Sequence, residues 1–487
     1  MFVFVPPCHF HRQGHVSSHT HFQKDSKVGY FSVSKTRVHQ ATLPVRRNQK
    51  LGSWLKASMA VQLSEAGTHK SYIGYDKHGF LWCEELKVAD ILENVGTSPF
   101  FLYSKSQLVS NFESYLNATK GMDAIIGYAI KANNNLSLLR ILASRGSGAV
   151  LVSGGELMLA EKAGFDLHKT VLNGNGKTIS EISVAVTKEC LINVDSEFDL
   201  EHIILSSKQV GKRARILIRI NPDIDPQVHP YISTGLANSK FGIRNTHLEW
   251  FLNRIKQEQS YLDLVGVHCH LGSTIRQVKI FKDAATIMLD FVSIIRNAGF
   301  HGLQYLNIGG GLGIDYERQG HSIPTPEELV GSIREKVKEA QLTLIIEPGR
   351  SIVGNTGMLI SRVIGVKSNG NKEFIVVDGS MAEVIRPSLY DAFHWIGLIT
   401  PNSNELSKFD VVGPICESAD FLGKDRMLPR PEEGSGIAIM DTGAYCYAMA
   451  SNYNMRLKPA EILVDGKQWK YIRRRETFED MMHLYDS

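Results

Sequence analysis

A chain of 487 residues exceeds what one hydrophobic core accommodates and predicts two domains. With 43% hydrophobic and 21% charged residues it reads as a globular protein, and no run of 18 or more apolar residues points to a membrane span. The net charge of +4 includes a basic N-terminal segment while the other charges are mixed along the chain, which argues against nucleic acid as a partner.

In chain order, residues 1–60 carry nine Lys or Arg, six His and a single acid, Asp25. That composition predicts an organelle transit peptide over residues 1–58, the alternative being a disordered tail or a start at Met59. "SYIGYDKHGFLWCE", residues 71–84, predicts a hairpin. Eight short apolar runs then alternate with helical patterns. They end at Lys131, Ser153, Asn173, Asp195, Asn221, His270, Gly309 and Glu347. Between them, stretches such as "EFDLEHIILSSKQVG" repeat apolar residues near i, i+3, i+4 and i+7. The last helix opens at "TPEEL", with a capping box at Thr325 and Glu328 and Pro326 in its first turn. Eight such units over about 250 residues predict a (β/α)8 TIM-type barrel spanning 99–358. "NGNKEFIVVDG" and "AEILVDGKQWKYIRR" place Asn-Gly and Asp-Gly turns between β-prone runs. They predict a second, mostly β domain formed by both chain ends, residues 59–98 and 359–487.

Strand C-termini line the active face of such a barrel. Here they bring Lys131, His270, the triple glycine Gly309, Gly310 and Gly311, and Glu347 to one mouth. Lys131 lies in the strand-like run "GYAIKAN", where a buried amine is costly unless paired or neutralised; a partly exposed strand-end lysine is the alternative. "NIGGGLGI" departs from G-x-G-x-x-G at Ile314 and no N-terminal βαβ unit precedes it, which argues against a nicotinamide cofactor. "HCHLGS" spaces His268 and His270 as two metal ligands would be, but the other strand ends do not complete a metal set, and no metal is expected. His268 reads as a hydrogen-bonded barrel histidine. Six widely spaced cysteines without a C-x-x-C pair predict neither disulfides nor a zinc site. A lysine and a glycine-rich anion cradle on one mouth suggest pyridoxal phosphate bonded to Lys131, with Glu347 at the pyridine nitrogen.

Six motifs in register, "YAIKAN", "HCHLGS", "LNIGGGLG", "IEPGRS", "GPICESADFLG" and "DTGAYC", resemble those of the pyridoxal phosphate decarboxylases with an alanine-racemase-type barrel. Within that family the likeness is strongest to the plant branch acting on diaminopimelate, and it runs from about residue 70 to the C-terminus. The resemblance implies Lys131 as the cofactor lysine, His270 stacked on the cofactor ring and Ser273 at its phosphate. It implies Gly309, Gly310, Gly311, Gly349 and the Arg350 backbone as the rest of the cradle, and Tyr445 between phosphate and substrate. It further implies Cys416 as proton donor from the second subunit of a homodimer, and a plastid location. Read alone, Cys416 would be a buried structural cysteine. One departure is Val150, where family members commonly carry an aspartate; Glu156 is the substitute partner for Lys131.

The resemblance implies conversion of meso-2,6-diaminopimelate to L-lysine and CO2, the last step of lysine biosynthesis. Arg350 and Arg386 suit a distal carboxylate, Glu417 a distal ammonium, and Tyr390 an added hydrogen bond. Without the resemblance, Arg386 and Tyr390 read equally well as interdomain or dimer contacts. The alternatives are a decarboxylase of ornithine or arginine type, a non-catalytic cofactor-binding homologue, and a racemase.

Overall fold

Residues 72–226, 240–320 and 323–485 are described here from a computed structural model. The expected transit segment, 1–58, lies outside them. The hairpin expected at 71–84 forms: β1 (Ile73–Tyr75) pairs antiparallel with β2 (Leu81–Cys83), and β3 (Leu86–Lys87) adds to it. β4 (Phe100–Ser104) follows, all five residues buried.

The eight apolar runs form eight parallel strands, β5 (Ala124–Ala129), β6 (Gly148–Leu151), β7 (Val171–Leu172), β8 (Leu191–Val194), β9 (Ala214–Arg219), β10 (Leu262–His268), β11 (Tyr305–Asn307) and β12 (Thr343–Ile346). β12 closes on β5, completing the barrel. Both faces of each strand are covered, so the runs read as continuously apolar rather than alternating. Ile125, Ala129, Val150, Val171, Leu191, Leu217, Val265 and Ile345 form one apolar cluster, the barrel filling. Their outward neighbours, such as Ile192, Ile216 and Ile218, join the core beneath the helices. The caps follow the sequence signals. Thr325 and Glu328 close the capping box of the helix Pro326–Gly331, and Ser196 caps Glu197–Val210, which ends at left-handed Gly211.

The remaining strands are β13 (Gly357–Ser368), β14 (Glu373–Val377), β15 (Ile396–Leu398), β16 (Leu406–Val412), β17 (Phe421–Pro429), β18 (Gly436–Ile439), β19 (Ala460–Asp465) and β20 (Gln468–Arg473). They form a nine-stranded sheet ordered β17-β16-β14-β13-β4-β19-β20, with β18 pairing both β13 and β15. The Asn369-Gly370 and Asp465-Gly466 turns join β13 to β14 and β19 to β20, each glycine at positive φ. β4 falls within the span 99–358 read as barrel, yet it pairs antiparallel with β13 and parallel with β19. Its run "FFLYS" is as apolar as a barrel strand, and only its partners distinguish the two. Among the described residues no helix is long and apolar enough to cross a membrane.

Candidate active site

β5 ends at Ala129, and a single 3-10 turn, Ile130–Ala132, lifts Lys131 above the barrel mouth. The expected burial of this amine is not what forms. Lys131 is exposed, lining a cavity of about 540 Å³, and among the described residues it has no hydrogen-bond or ion-pair partner. The turn stops the strand two residues early, and that is what frees the side chain. Near it, burial raises the Glu156 carboxyl above the usual range, and the Val152 N–H and the Lys131 charge oppose that rise. Val150 lines the cavity and packs where a Cβ on Gly127 would sit. The lysine turn is held from the β sheet. Tyr445 N–H donates to Ala132 O at 2.8 Å and Asn133 Nδ2 to Gly443 O at 3.0 Å. Asn135 Nδ2 and Tyr103 OH each donate to the fully buried Glu461 carboxylate at 2.8 Å.

Two residues beyond the apolar filling, the same strand faces carry polar side chains. Asn173, Asn193, Arg219, Asn307 and Glu347 follow Val171, Leu191, Leu217, Tyr305 and Ile345 at the period-2 spacing of a strand. Glu347 accepts from Asn307 Nδ2 at 2.8 Å and from Asn173 Nδ2 at 3.0 Å. Burial would raise its carboxyl, but the His268 and His270 imidazoles and the Asn307 amide hold it below the usual range; with the histidines themselves depressed, the donors that favour its ionised form are the Asn307 and Asn173 amides. His268 is fully buried and kept below its ordinary value by desolvation, hence neutral. Asn193 Nδ2 lies 3.0 Å from its Nδ1, which places the proton on Nε2, 3.6 Å from Glu347 Oε2. His268 is therefore bonded on one side only, its Nε2 lacking a hydrogen-bond partner among the described residues. Arg219 pairs with Asp195 at 3.3 Å and lies over the Phe241 ring. None of Asn173, Asn193, Asn307 and Arg219 was singled out from sequence as a site residue; Asn173 ends a run read as a strand, and the other three lie two residues inside theirs.

The glycines answer to close backbone approach. A Cβ on Gly310 would lie 2.0 Å from Glu347 O, on Gly309 2.6 Å from Cys269 O, and on Gly311 2.5 Å from Gly272 O. Gly309 N–H donates to Asn307 Oδ1, and Gly310 N–H to His270 Nδ1 at 3.1 Å. His270 is held well below its ordinary value by burial, then by the Lys131 charge. Gly349 packs on Ala132 and Ala129 beneath the lysine turn. Ser273, Gly272, Gly311 and Gly349 line one part of the cavity wall.

The outer wall is cationic. Arg350 and Arg386 are each 5% exposed. Arg350 Nε donates to Ser273 Oγ at 3.1 Å and Nη1 to Tyr316 OH at 2.5 Å, with its guanidinium over the Tyr445 ring. Arg386 lies over Tyr316 and bonds His394. Arg350, Arg386 and Tyr390 also line an adjoining cavity of about 540 Å³. Tyr445 holds a left-handed backbone, φ 58°, which costs energy for an aromatic residue and turns its ring into the site.

Cys416 and Glu417 do not line the cavity of this chain. Cys416 is exposed, not buried as its sequence context alone suggested, and its N–H donates to Asn454 Oδ1 at 2.8 Å. Buried Asp420 ties the base of this exposed loop, accepting the Ile415 and Met381 N–H groups at 2.7 Å.

Residues 105–354 match the pyridoxal-binding domain of the pyridoxal-dependent decarboxylases. A rice (Oryza sativa subsp. japonica) protein named as a probable chloroplastic diaminopimelate decarboxylase is 55% identical over 412 residues, 84% of this chain and 84% of that one. The solved structure of Helicobacter pylori diaminopimelate decarboxylase complexed with L-lysine matches with a TM-score of 0.76 at 38% identity, covering 82% of this chain and 99% of that one. The M. jannaschii enzyme in co-complex with L-lysine matches with a TM-score of 0.80 at 35% identity, covering 85% and 97%.

Proposed function

Because the chain belongs to the pyridoxal-dependent decarboxylases, and within them to the diaminopimelate decarboxylases, we propose that this cavity is where meso-2,6-diaminopimelate loses one carboxylate to give L-lysine and CO2. The observation that carries the reading is the pairing of an unpartnered Lys131 with an anionic Glu347 on one cavity whose outer wall holds two buried arginines.

The donor set fits pyridoxal phosphate. Lys131 would bond its aldehyde, Glu347 would meet the pyridine nitrogen, and His270 would stack on the ring. Ser273, Gly309, Gly310, Gly311, Gly349 and the Arg350 backbone would surround the phosphate, with Tyr445 between phosphate and substrate. When bound, the cofactor supplies an electron sink for the pair left behind as CO2 departs. Glu347, ionised and held by Asn173 and Asn307, would keep a proton on the pyridine nitrogen. Arg350 and Arg386 bind the carboxylate that is retained, Tyr390 adds a hydrogen bond, and Glu417 takes the distal ammonium. Two buried cations disfavour an ornithine- or arginine-type side chain at that end. Cys416 Sγ delivers the proton to the α-carbon. Its exposure, away from the cavity of its own chain, supports a homodimer in which Cys416 and Glu417 complete the partner's site. The N-terminal composition and the chloroplastic name of the rice relative support residues 1–58 as a plastid transit segment.

The test uses the chain from residue 59 reconstituted with pyridoxal phosphate. The parent develops a visible absorption band that Lys131→Ala lacks, and releases lysine from meso-diaminopimelate. A band without lysine rejects the substrate; no band rejects Lys131 as the cofactor lysine.

A further inference from the structure

Arg386 is buried, and among the described residues no carboxylate lies within ion-pair distance of it. What holds it is His394, itself fully buried. The imidazole is fixed from both sides: Nδ1 lies 2.8 Å from Met440 O, a pure acceptor, and Nε2 lies 2.8 Å from Arg386 Nη1, a pure donor. Nδ1 therefore carries the proton and Nε2 presents a lone pair to the guanidinium. Tyr316 completes the clamp, edge-on to His394 at 5.2 Å and beneath Arg386 at 4.8 Å. Burial, and then the Arg386 charge, keep His394 well below its ordinary value and so neutral at neutral pH.

A carboxylate in place of His394 would hold the guanidinium at least as tightly, but would cancel its charge. A neutral imidazole holds the group without cancelling it. We propose that His394 is a positioning residue for substrate specificity, holding Arg386 as an uncompensated cation aimed at the carboxylate that substrate and product share. The inference rests on the reading of Arg386 as a carboxylate site given above.

Asparagine and glutamine separate the two bonds of the ring. His394→Asn keeps a donor for Met440 O but stops short of Arg386, whereas His394→Gln is one methylene longer and places an acceptor at the guanidinium. His394→Leu removes both bonds and serves as a second disabling variant. The holoenzymes are compared by KM and kcat on meso-diaminopimelate and by inhibition with two probes. L-lysine retains the distal carboxylate; pentane-1,5-diamine lacks it. Both KM and the inhibition constants are independent of the amount of folded enzyme, so a destabilised variant remains informative.

In His394→Asn and His394→Leu, KM for the substrate and the inhibition constant for L-lysine should rise about tenfold or more, the loss expected for a hydrogen bond to a charged group. The diamine constant should stay unchanged and His394→Gln should lie near the parent. The inference is overturned if asparagine and glutamine behave alike, or if lysine and the diamine weaken together. Arg386→Ala is the control for the underlying reading. If it leaves KM and lysine inhibition at parental values, Arg386 is not the carboxylate site and the role of His394 falls with it.

Discussion

Asp420 offers a measurable handle on the loop that carries Cys416. Its Oδ2 accepts the Ile415 N–H and its Oδ1 the Met381 N–H, both at 2.7 Å, and its own carbonyl accepts from Gly413. Gly413 is required by this contact, since a Cβ there would lie 2.5 Å from Asp420 Oδ2. In Asp420→Asn, one carboxylate oxygen becomes an NH2 facing an N–H, so one bond is lost and the other loses its charge. Hydrogen bonds to charged groups contribute roughly 1.5–3 kcal/mol each. Here burial raises the Asp420 carboxyl above its usual range, and the two N–H groups only partly oppose that. The low end therefore applies, about 1.5–2 kcal/mol lost. The base of the loop loosens and Cys416 Sγ is no longer held in place. Since complete removal of a positioned proton donor costs about 10²–10⁴ in rate, kcat should fall by about tenfold or more without reaching the level of Cys416→Ala. Lysine release and a melting curve are recorded on both variants. A lowered melting temperature with parental kcat would refute the idea that Asp420 positions the thiol.

Other outcomes follow from the same geometry. Lys177 and Asp199, 1% and 0% exposed at the side chain, pair at 2.8 Å, so Lys177→Met strands a buried carboxylate and should cost about 3–5 kcal/mol in denaturant unfolding. Adding Asp199→Leu to it should recover most of that loss. Gly310→Ala forces a Cβ to 2.0 Å from Glu347 O and should destabilise by about 1–3 kcal/mol or more, with weaker cofactor retention on dialysis. His268, His270 and His394 are all held below their ordinary value by burial. For a histidine depressed in the folded state, the unfolded chain binds the extra proton first. The stability these residues contribute is full above the unfolded value of about 6.5 and is lost as pH falls below it. Melting temperature should therefore drop from pH 7 to pH 5, and less steeply in His394→Gln.

The barrel was legible because its strands are buried on both faces and its helices carry capping signals, so that all eight strand ends read from the chain lie at the mouth of the closed barrel. Two features of the site were not. Lys131 reads as strand in "YAIK", but the chain turns after Ala129, and no local pattern separates a strand from a 3-10 turn of the same apolar residues. The triple glycine suggests an anion cradle, whereas the structure gives each Cα a backbone carbonyl at its side, a packing demand that exists whatever binds there. Of the polar ring, Asn173 was visible as a polar residue ending an apolar run, whereas Asn193, Arg219 and Asn307 sit two residues inside theirs, and the i, i+2 relation to the filling became readable only once the inward face was known. Arg386 and Tyr390 were weighed both as carboxylate-site residues and as interdomain or dimer contacts, and they line both cavities. Its partner His394 carries no local signal at all, because the Met440 carbonyl that fixes its ring lies 46 residues away.

The position of β4 bears on the order in which the molecule can be assembled. Its residues 100–104 are among the first of the sheet to be synthesised, yet one edge waits for β13 and the other for β19, which begins at Ala460. Until β13 is made, a strand of Phe100, Phe101, Leu102 and Tyr103 has no partner on either side, and until β19 is made one edge stays open, the kind of edge on which nascent chains aggregate. The lysine turn waits with it, since Glu461, which receives Asn135 and Tyr103, lies on β19. A ribosome-bound chain can close its barrel and still lack the tether that fixes Lys131, so catalytic competence arrives only with the last few dozen residues, and a chain ending before Ala460 would be both inactive and sticky.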